Sequence, residues 1–166
     1  MHREGHIGIG LIMFSPIAYY TVAADLMTAF GLGLAVMAFW SFAPDVDLTL
    51  PIRHRGPTHS FVFAIFAGIV TAVIAVWYVW GGVAIAGFAG IFAYVIAAGY
   101  GFGLGFLGVV SHLIGDAVTP MKIRPWWPFS ERQHGVNLVY AKNKTANQYL
   151  SLAGGLAVVG ALMAAE

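Results

Sequence analysis

Five apolar runs dominate this chain, at about residues 7–24, 26–43, 59–80, 83–119 and 148–165. A helix needs about 20 apolar residues to cross the hydrocarbon core of a bilayer. Each run meets or approaches that length, and the longest stretches between them are a polar loop after the second run and a long polar segment over residues 120–147. Only 9% of the 166 residues are charged and 60% are hydrophobic. Soluble domains carry roughly 25% charged residues, so this chain lacks the polar groups to cover a water-facing surface. Its outer surface must face lipid. The expected fold is all-α: a polytopic integral membrane helical bundle of about five transmembrane helices, forming a single transmembrane domain over residues 1–166.

The boundaries of the runs have local causes. Pro44 disfavours continued helix at the end of the second, and Asp45 and Asp47 follow it. Gly81 and Gly82 break the third, beside the aromatic belt of Trp77, Tyr78 and Trp80. The 83–119 run is ambiguous. As one straight helix it would reach about 55 Å, beyond a bilayer. As two spans it would turn around Gly99, Gly101, Gly103 and Gly105.

Charge placement resolves this. If residues 83–119 cross once, long or kinked, then all eight cations lie on one side: Arg3, Arg53, Arg55, Lys122, Arg124, Arg132, Lys142 and Lys144. Asp25 and Glu166 lie on the other. Two crossings would split the cations between the faces. The positive-inside rule therefore favours five spans in the plasma membrane, with the N-terminus cytoplasmic.

The same topology gathers a second set of residues at the same end. His6 precedes the first span, Asp45 and Asp47 follow the second, His54 and His59 precede the third, and His112 and Asp116 end the fourth. His112 and Asp116, at i and i+4, share a helix face. Ionisable groups inside a span are costly and mark function by default. With no cysteine in the chain, a metal would be held by His and carboxylate, which suits zinc or another first-row divalent ion. Of the Asp45/Asp47 pair, in an extended conformation, one could ligate while the other orients a His. Thr58 is a plausible N-cap for the third helix, which would place His59 in its first turn. Arg53 and Arg55 suit an anionic substrate oxygen. Blander roles stand beside these. His6 could be an interfacial residue, Asp45 and Asp47 could flank a helix end, His54 could be solvated, and the rest could form a structural ion-pair network. His134 reads as a surface histidine, and Arg124 with Trp126 and Trp127 as an interfacial anchor.

These pieces resemble a known family, the LexA-regulated, membrane-bound, metal-dependent hydrolases of the YdjM type. The matching residues are His6 with Gly8, Pro44-Asp45-Val46-Asp47, His54-Arg55-Gly56-Pro57-Thr58-His59-Ser60, and Ser111-His112 through Asp116 with Thr119-Pro120. More distantly, their order is similar to the zinc-dependent phospholipase C and single-strand nuclease group, carried over to His6, Asp45, His59, His112 and Asp116. That group's further His and His-x-x-x-Glu pair have no counterpart here, and neither is one expected for the N-terminal amino group it uses. The resemblance implies a phosphoester hydrolase with one zinc ion, or two sharing Asp116.

Taken together, the residues and the resemblance lead to a membrane-embedded metal-dependent hydrolase of a lipid or lipid-linked phosphoester. Asp45, His59, His112 and Asp116 would bind the metal, with His6 completing the site or holding a second ion. Asp47 or His54 would be the general base or orient a ligand, and Arg53 and Arg55 would hold substrate charge. Membrane lipids are the expected surroundings. With a net charge of +1, no basic field for nucleic acid is present. A metal or proton transporter, with the 99–105 glycines as a helix break, and a non-catalytic membrane interaction protein are the alternatives.

Overall fold

A computed structural model describes the chain apart from Leu50, Ile52, Arg53 and residues 83–87, and apart from the side chains of residues 82, 88 and 89. Five α-helices carry the fold: α1 (Arg3–Ala23), α2 (Met27–Trp40), α3 (Phe61–Gly82), α4 (Phe88–Ala117) and α5 (Lys144–Ala165). Among the described residues the only strand-like pairing is one antiparallel bridge, Ile123 with His134. All five spans are long and apolar enough to cross a membrane, the second by running on from α2 to Thr49. The fold class expected from sequence is therefore the one observed.

α4 settles the ambiguous run. It is unbroken through Gly99–Gly105, and its 30 residues correspond to about 45 Å of helix. The glycines serve packing rather than a turn. A Cβ on Gly101 would run into the Thr71 carbonyl, and one on Gly105 into the Ala67 carbonyl, both on α3. Gly99 and Gly103, on the other faces, have open space. This is the small-xxx-small seam of closely packed membrane helices. Transport through a broken fourth helix loses its structural basis with the break.

A second close seam joins α1 to α5, where Gly154 faces the backbone of Gly8, and Gly8 the backbone of Leu150 and Ser151. Three polar bonds fix the interior further along. Trp40 Nε1 donates to Thr71 Oγ1 at 2.9 Å, Tyr100 Oη to the Ala29 carbonyl at 2.7 Å, and Thr21 Oγ1 to the Ile17 carbonyl at 2.9 Å. The apolar core lies between them around Phe14, Met37 and Leu104, with a second cluster around Ala64, Ala67, Val109 and Leu113. Outward, Ile69, Val73, Ile74, Val95 and Ile96 are exposed, as a lipid-facing surface requires.

α1 and α2 join through a tight turn at Asp25, whose φ of 59° is the left-handed conformation that Asp tolerates better than most residues. At the opposite end the connections are longer. Two short 3-10 turns, Ala43–Thr49 and Pro57–His59, join α2 to α3. The segment from α4 to α5 folds over this end. Leu138 N donates to the Val118 carbonyl at 2.8 Å, and the Pro125 carbonyl accepts from Phe61 N, the first amide of α3, at 2.8 Å.

Candidate metal centre

The end of the bundle covered by these connections collects the polar residues. His6 stands in the first turns of α1, Asp45 and Asp47 in the 3-10 turn after α2, His59 in the turn before α3, and His112 and Asp116 at the end of α4. His6, His59 and His112 are fully buried, and Asp47 and Asp116 nearly so.

Two expectations about local geometry are corrected. Asp45 and Asp47 lie in a 3-10 turn, not an extended strand, so their carboxylates diverge and take different partners. Thr58 does not cap α3. That place belongs to Ser60, whose hydroxyl accepts from Phe63 N at 3.3 Å. Pro57 favours the turn conformation instead, and the Thr58 hydroxyl is released to donate to Asp47 Oδ2 at 2.9 Å.

The imidazole orientations follow from these partners. His112 Nδ1 lies 2.9 Å from the Ser41 carbonyl. A carbonyl only accepts, so Nδ1 carries the proton and neutral His112 presents the lone pair of Nε2. His59 Nδ1 lies 3.2 Å from Asp47 Oδ2 and 3.0 Å from Thr58 Oγ1. The carboxylate likewise takes a proton from Nδ1, leaving the His59 Nε2 lone pair free. The two Nε2 atoms then face each other 3.1 Å apart. With both imidazoles neutral these are two lone pairs, which repel unless a proton on one nitrogen or a cation lies between them.

Two carboxylate oxygens complete the ring. Asp116 Oδ2 lies 3.3 Å from His59 Nε2 and 3.7 Å from His112 Nε2, and Asp45 Oδ1 lies 3.6 Å from each. All four donor atoms fall within 4.8 Å of one another. Ligands bound at about 2.1 Å in a tetrahedron stand roughly 3.4 Å apart, and the observed spacings bracket that value. Asp116 Oδ2 is also buried with no hydrogen-bond partner, a costly state for a carboxylate oxygen. Two nitrogen lone pairs and two anionic oxygens converging on one point fit a divalent cation. Burial opposes charging His59, but the carboxylates of Asp116 and Asp45 outweigh it and hold the imidazole above its ordinary range.

The remaining predicted residues surround this group. Asp47 Oδ1 meets His54 Nδ1 at 2.8 Å, while Oδ2 accepts the Arg55 amide at 3.0 Å. His54 is partly exposed and faces the cleft. His6 stacks flat on His112, with ring centroids 3.9 Å apart, and its Nε2 lies 3.4 Å from the other Asp116 oxygen, Oδ1. That oxygen also pairs with Arg55 Nη2 at 2.9 Å. No counterpart to the soluble group's amino group is expected in this chain, but the Met1 amino nitrogen is there too, 2.7 Å from Oδ1. Arg55 is buried, and its Nη1 donates to Thr119 Oγ1 and to the Met121 carbonyl. Arg53 lies outside the described residues. His134 is half-buried with an unpartnered Nδ1 and stands apart from the cluster in the bridge to Ile123. Arg124 pairs with Glu131, and Trp126 packs on Phe61.

A cleft of about 370 Å³ opens beside the group, lined by Asp45, His54, Arg55 and Asp116 together with Leu48, Met121, Tyr140 and Lys142. Sequence reasoning missed Ser41, Tyr140 and Lys142. Ser41 acts through its backbone, which leaves no residue-type signature. Tyr140 and Lys142 come from the irregular segment, whose path over the site no periodicity reveals.

The model of the YdjM inner membrane protein family matches residues 1–165. The chain belongs to that family. The match extends past the polar motifs to α5, which carries none of the candidate ligands. No curated protein and no solved structure matched the chain.

Proposed function

We propose that the protein is a metal-dependent hydrolase acting on phosphoester bonds of a lipid or lipid-linked substrate, at the cytoplasmic face of the membrane. The observation that carries this reading is the facing pair of His59 and His112 Nε2 atoms beside two carboxylate oxygens, at the mouth of a cleft. Asp45, His59, His112 and Asp116 would hold the ion. With nitrogen and carboxylate donors and no thiolate, zinc is the favoured metal. When bound, it supplies Lewis-acid chemistry, polarising a phosphoryl oxygen and making water a stronger acid.

The protein's own groups divide the remaining work. Asp47 holds His59 with Nε2 facing the centre. His54, partly exposed and hydrogen-bonded to Asp47, is placed to accept a proton from an attacking water. Lys142 adds a cation at the rim for substrate phosphate. Leu48 and Met121, exposed apolar residues on the same cleft, suit a substrate whose headgroup enters from the interface while its chains remain in lipid. A distant likeness in motif order to zinc-dependent phospholipase C supports the same chemistry.

The test is a paired measurement on detergent-purified protein: bound metal by elemental analysis, and hydrolysis of phospholipids and generic phosphoesters. His112→Ala and Asp116→Ala should each lose both. Full hydrolysis by protein free of metal would overturn the proposal. Zinc uptake into proteoliposomes without hydrolysis would favour transport instead.

A further inference from the structure

Asp116 presents two oxygens to two different environments. Oδ2 faces His59, His112 and Asp45. Oδ1 faces Arg55, His6 and the Met1 amino group. A carboxylate placed in this way commonly bridges two metal ions, and two ions sharing Asp116 are one expectation from sequence. We propose instead that the centre takes a single metal ion, because the Arg55 guanidinium permanently fills the position on Asp116 Oδ1 that a second ion sharing this carboxylate would need, and the other nearby donor set, Asp47, His54 and His59, depends on the same His59. This rests on the metal-binding reading above and fixes its stoichiometry.

Three observations carry it. The first is place. Arg55 Nη2 lies 2.9 Å from Oδ1, at contact distance for a charge-assisted hydrogen bond. A second ion bound to that oxygen would overlap the guanidinium.

The second is permanence. A guanidinium cannot lose its proton in a protein, so it cannot yield its charge to an incoming cation as a lysine or histidine can. Nor is it free to swing away. Nη1 is tied to Thr119 Oγ1 and the Met121 carbonyl, and the side chain is only 7% exposed. The backbone beneath it is pinned as well. Arg55 has a φ of 59°, a conformation uncommon for such a residue, and its amide donates to Asp47 Oδ2. Asp47, which orients His59 for the ion, thus also fixes the residue that stands in for a second one.

The third is charge. With the imidazoles neutral, Asp45, Asp47 and Asp116 carry three negative charges against the one positive charge of Arg55. Counting the Met1 ammonium as well, 2.7 Å from Asp116 Oδ1, the surplus is one negative charge, which a single divalent cation already more than offsets, while a second would leave a buried excess of three positive charges. Buried charge without a partner is strongly disfavoured.

The experiment is metal counting on the full chain in detergent, equilibrated with zinc alone and read as ions per chain by mass spectrometry. One ion per wild-type chain is expected. Arg55→Gln removes the charge while keeping hydrogen-bonding groups, and should raise the count to two. In that background His6→Ala, which deletes the imidazole nearest Oδ1, should return it to one. Two ions on the wild type would overturn the proposal and leave the metal-binding reading standing. A count of one in Arg55→Gln would show that the guanidinium is not what excludes the second ion. No ion on the wild type would overturn the metal-binding reading itself. The wild-type count decides between one ion and two even where the variants fold poorly.

Discussion

Asp47 touches no part of the four-atom donor ring, yet it controls the direction of one of its members. Its Oδ2 holds His59 Nδ1, and its Oδ1 holds His54. Asp47→Asn keeps the shape but removes the charge that holds the proton on Nδ1, so His59 can adopt the tautomer with a protonated Nε2, which cannot ligate. Loss of such an orienting carboxylate typically costs about 10–100-fold in metal affinity. Chelator competition with zinc should show a loss of that size, and an unchanged affinity would mean that His59 is held by other contacts. Much of the site at this scale is legible in the sequence. His112 and Asp116 are close along the chain and inside an apolar span, where an ionisable group without a partner is expensive. His6, Asp45 and His59 fall at the same end by topology. Which partner each one takes is not legible. The fate of Arg55 shows why. An arginine in a motif beside histidines reads as an anion binder, but the anion it meets is the Asp116 carboxylate, and its other partners, Thr119 and Met121, lie 64 and 66 positions away. Nothing local specifies them.

At the scale of elements, the five helices are readable because hydropathy and length alone dictate a span, while the connections are not. The 99–105 glycines illustrate both sides. Spacing alone allows a turn or a packing seam, and the seam wins because Gly101 and Gly105 fall four apart on the face toward α3. This yields an internal control within one helix. Gly105→Ala should lower stability by about 1–3 kcal/mol, because its Cβ would press on the Ala67 backbone rather than on a movable side chain. Gly103→Ala has open space and should be neutral or stabilising by up to about 1 kcal/mol, through helix propensity. Thermal unfolding of the two variants in the same detergent compares them directly. Equal midpoints would show that α3 and α4 are not in close contact there. The α3 cap escapes a sequence reading for a related reason. Thr58 and Ser60 are both good capping residues, and the choice between them is made by Asp47, a partner eleven residues upstream of Thr58.

For the whole molecule, five antiparallel spans put the two ends of the chain on opposite sides of the membrane, and charge decides which side is which. Arg3 begins α1, Lys144 begins α5, and Lys122, Arg124, Arg132 and Lys142 lie in the segment that folds over the metal centre. The Asp25 turn, at the far end, carries no cation. The positive-inside rule then favours a candidate centre and cleft that face the cytoplasm. The absence of native cysteine makes this directly measurable with single cysteines at exposed positions. Asp25→Cys should react with a membrane-impermeant maleimide in intact cells, as should Glu166→Cys, whereas Arg132→Cys should react only after the membrane is opened. The reverse pattern would invert the orientation and move the cleft to the outer face, leaving the five-span fold intact. Labelling of Asp25→Cys and Arg132→Cys from the same side would be a different failure. It would mean an even number of crossings between residues 25 and 132, and α2, α3 and α4 could not then all span the membrane.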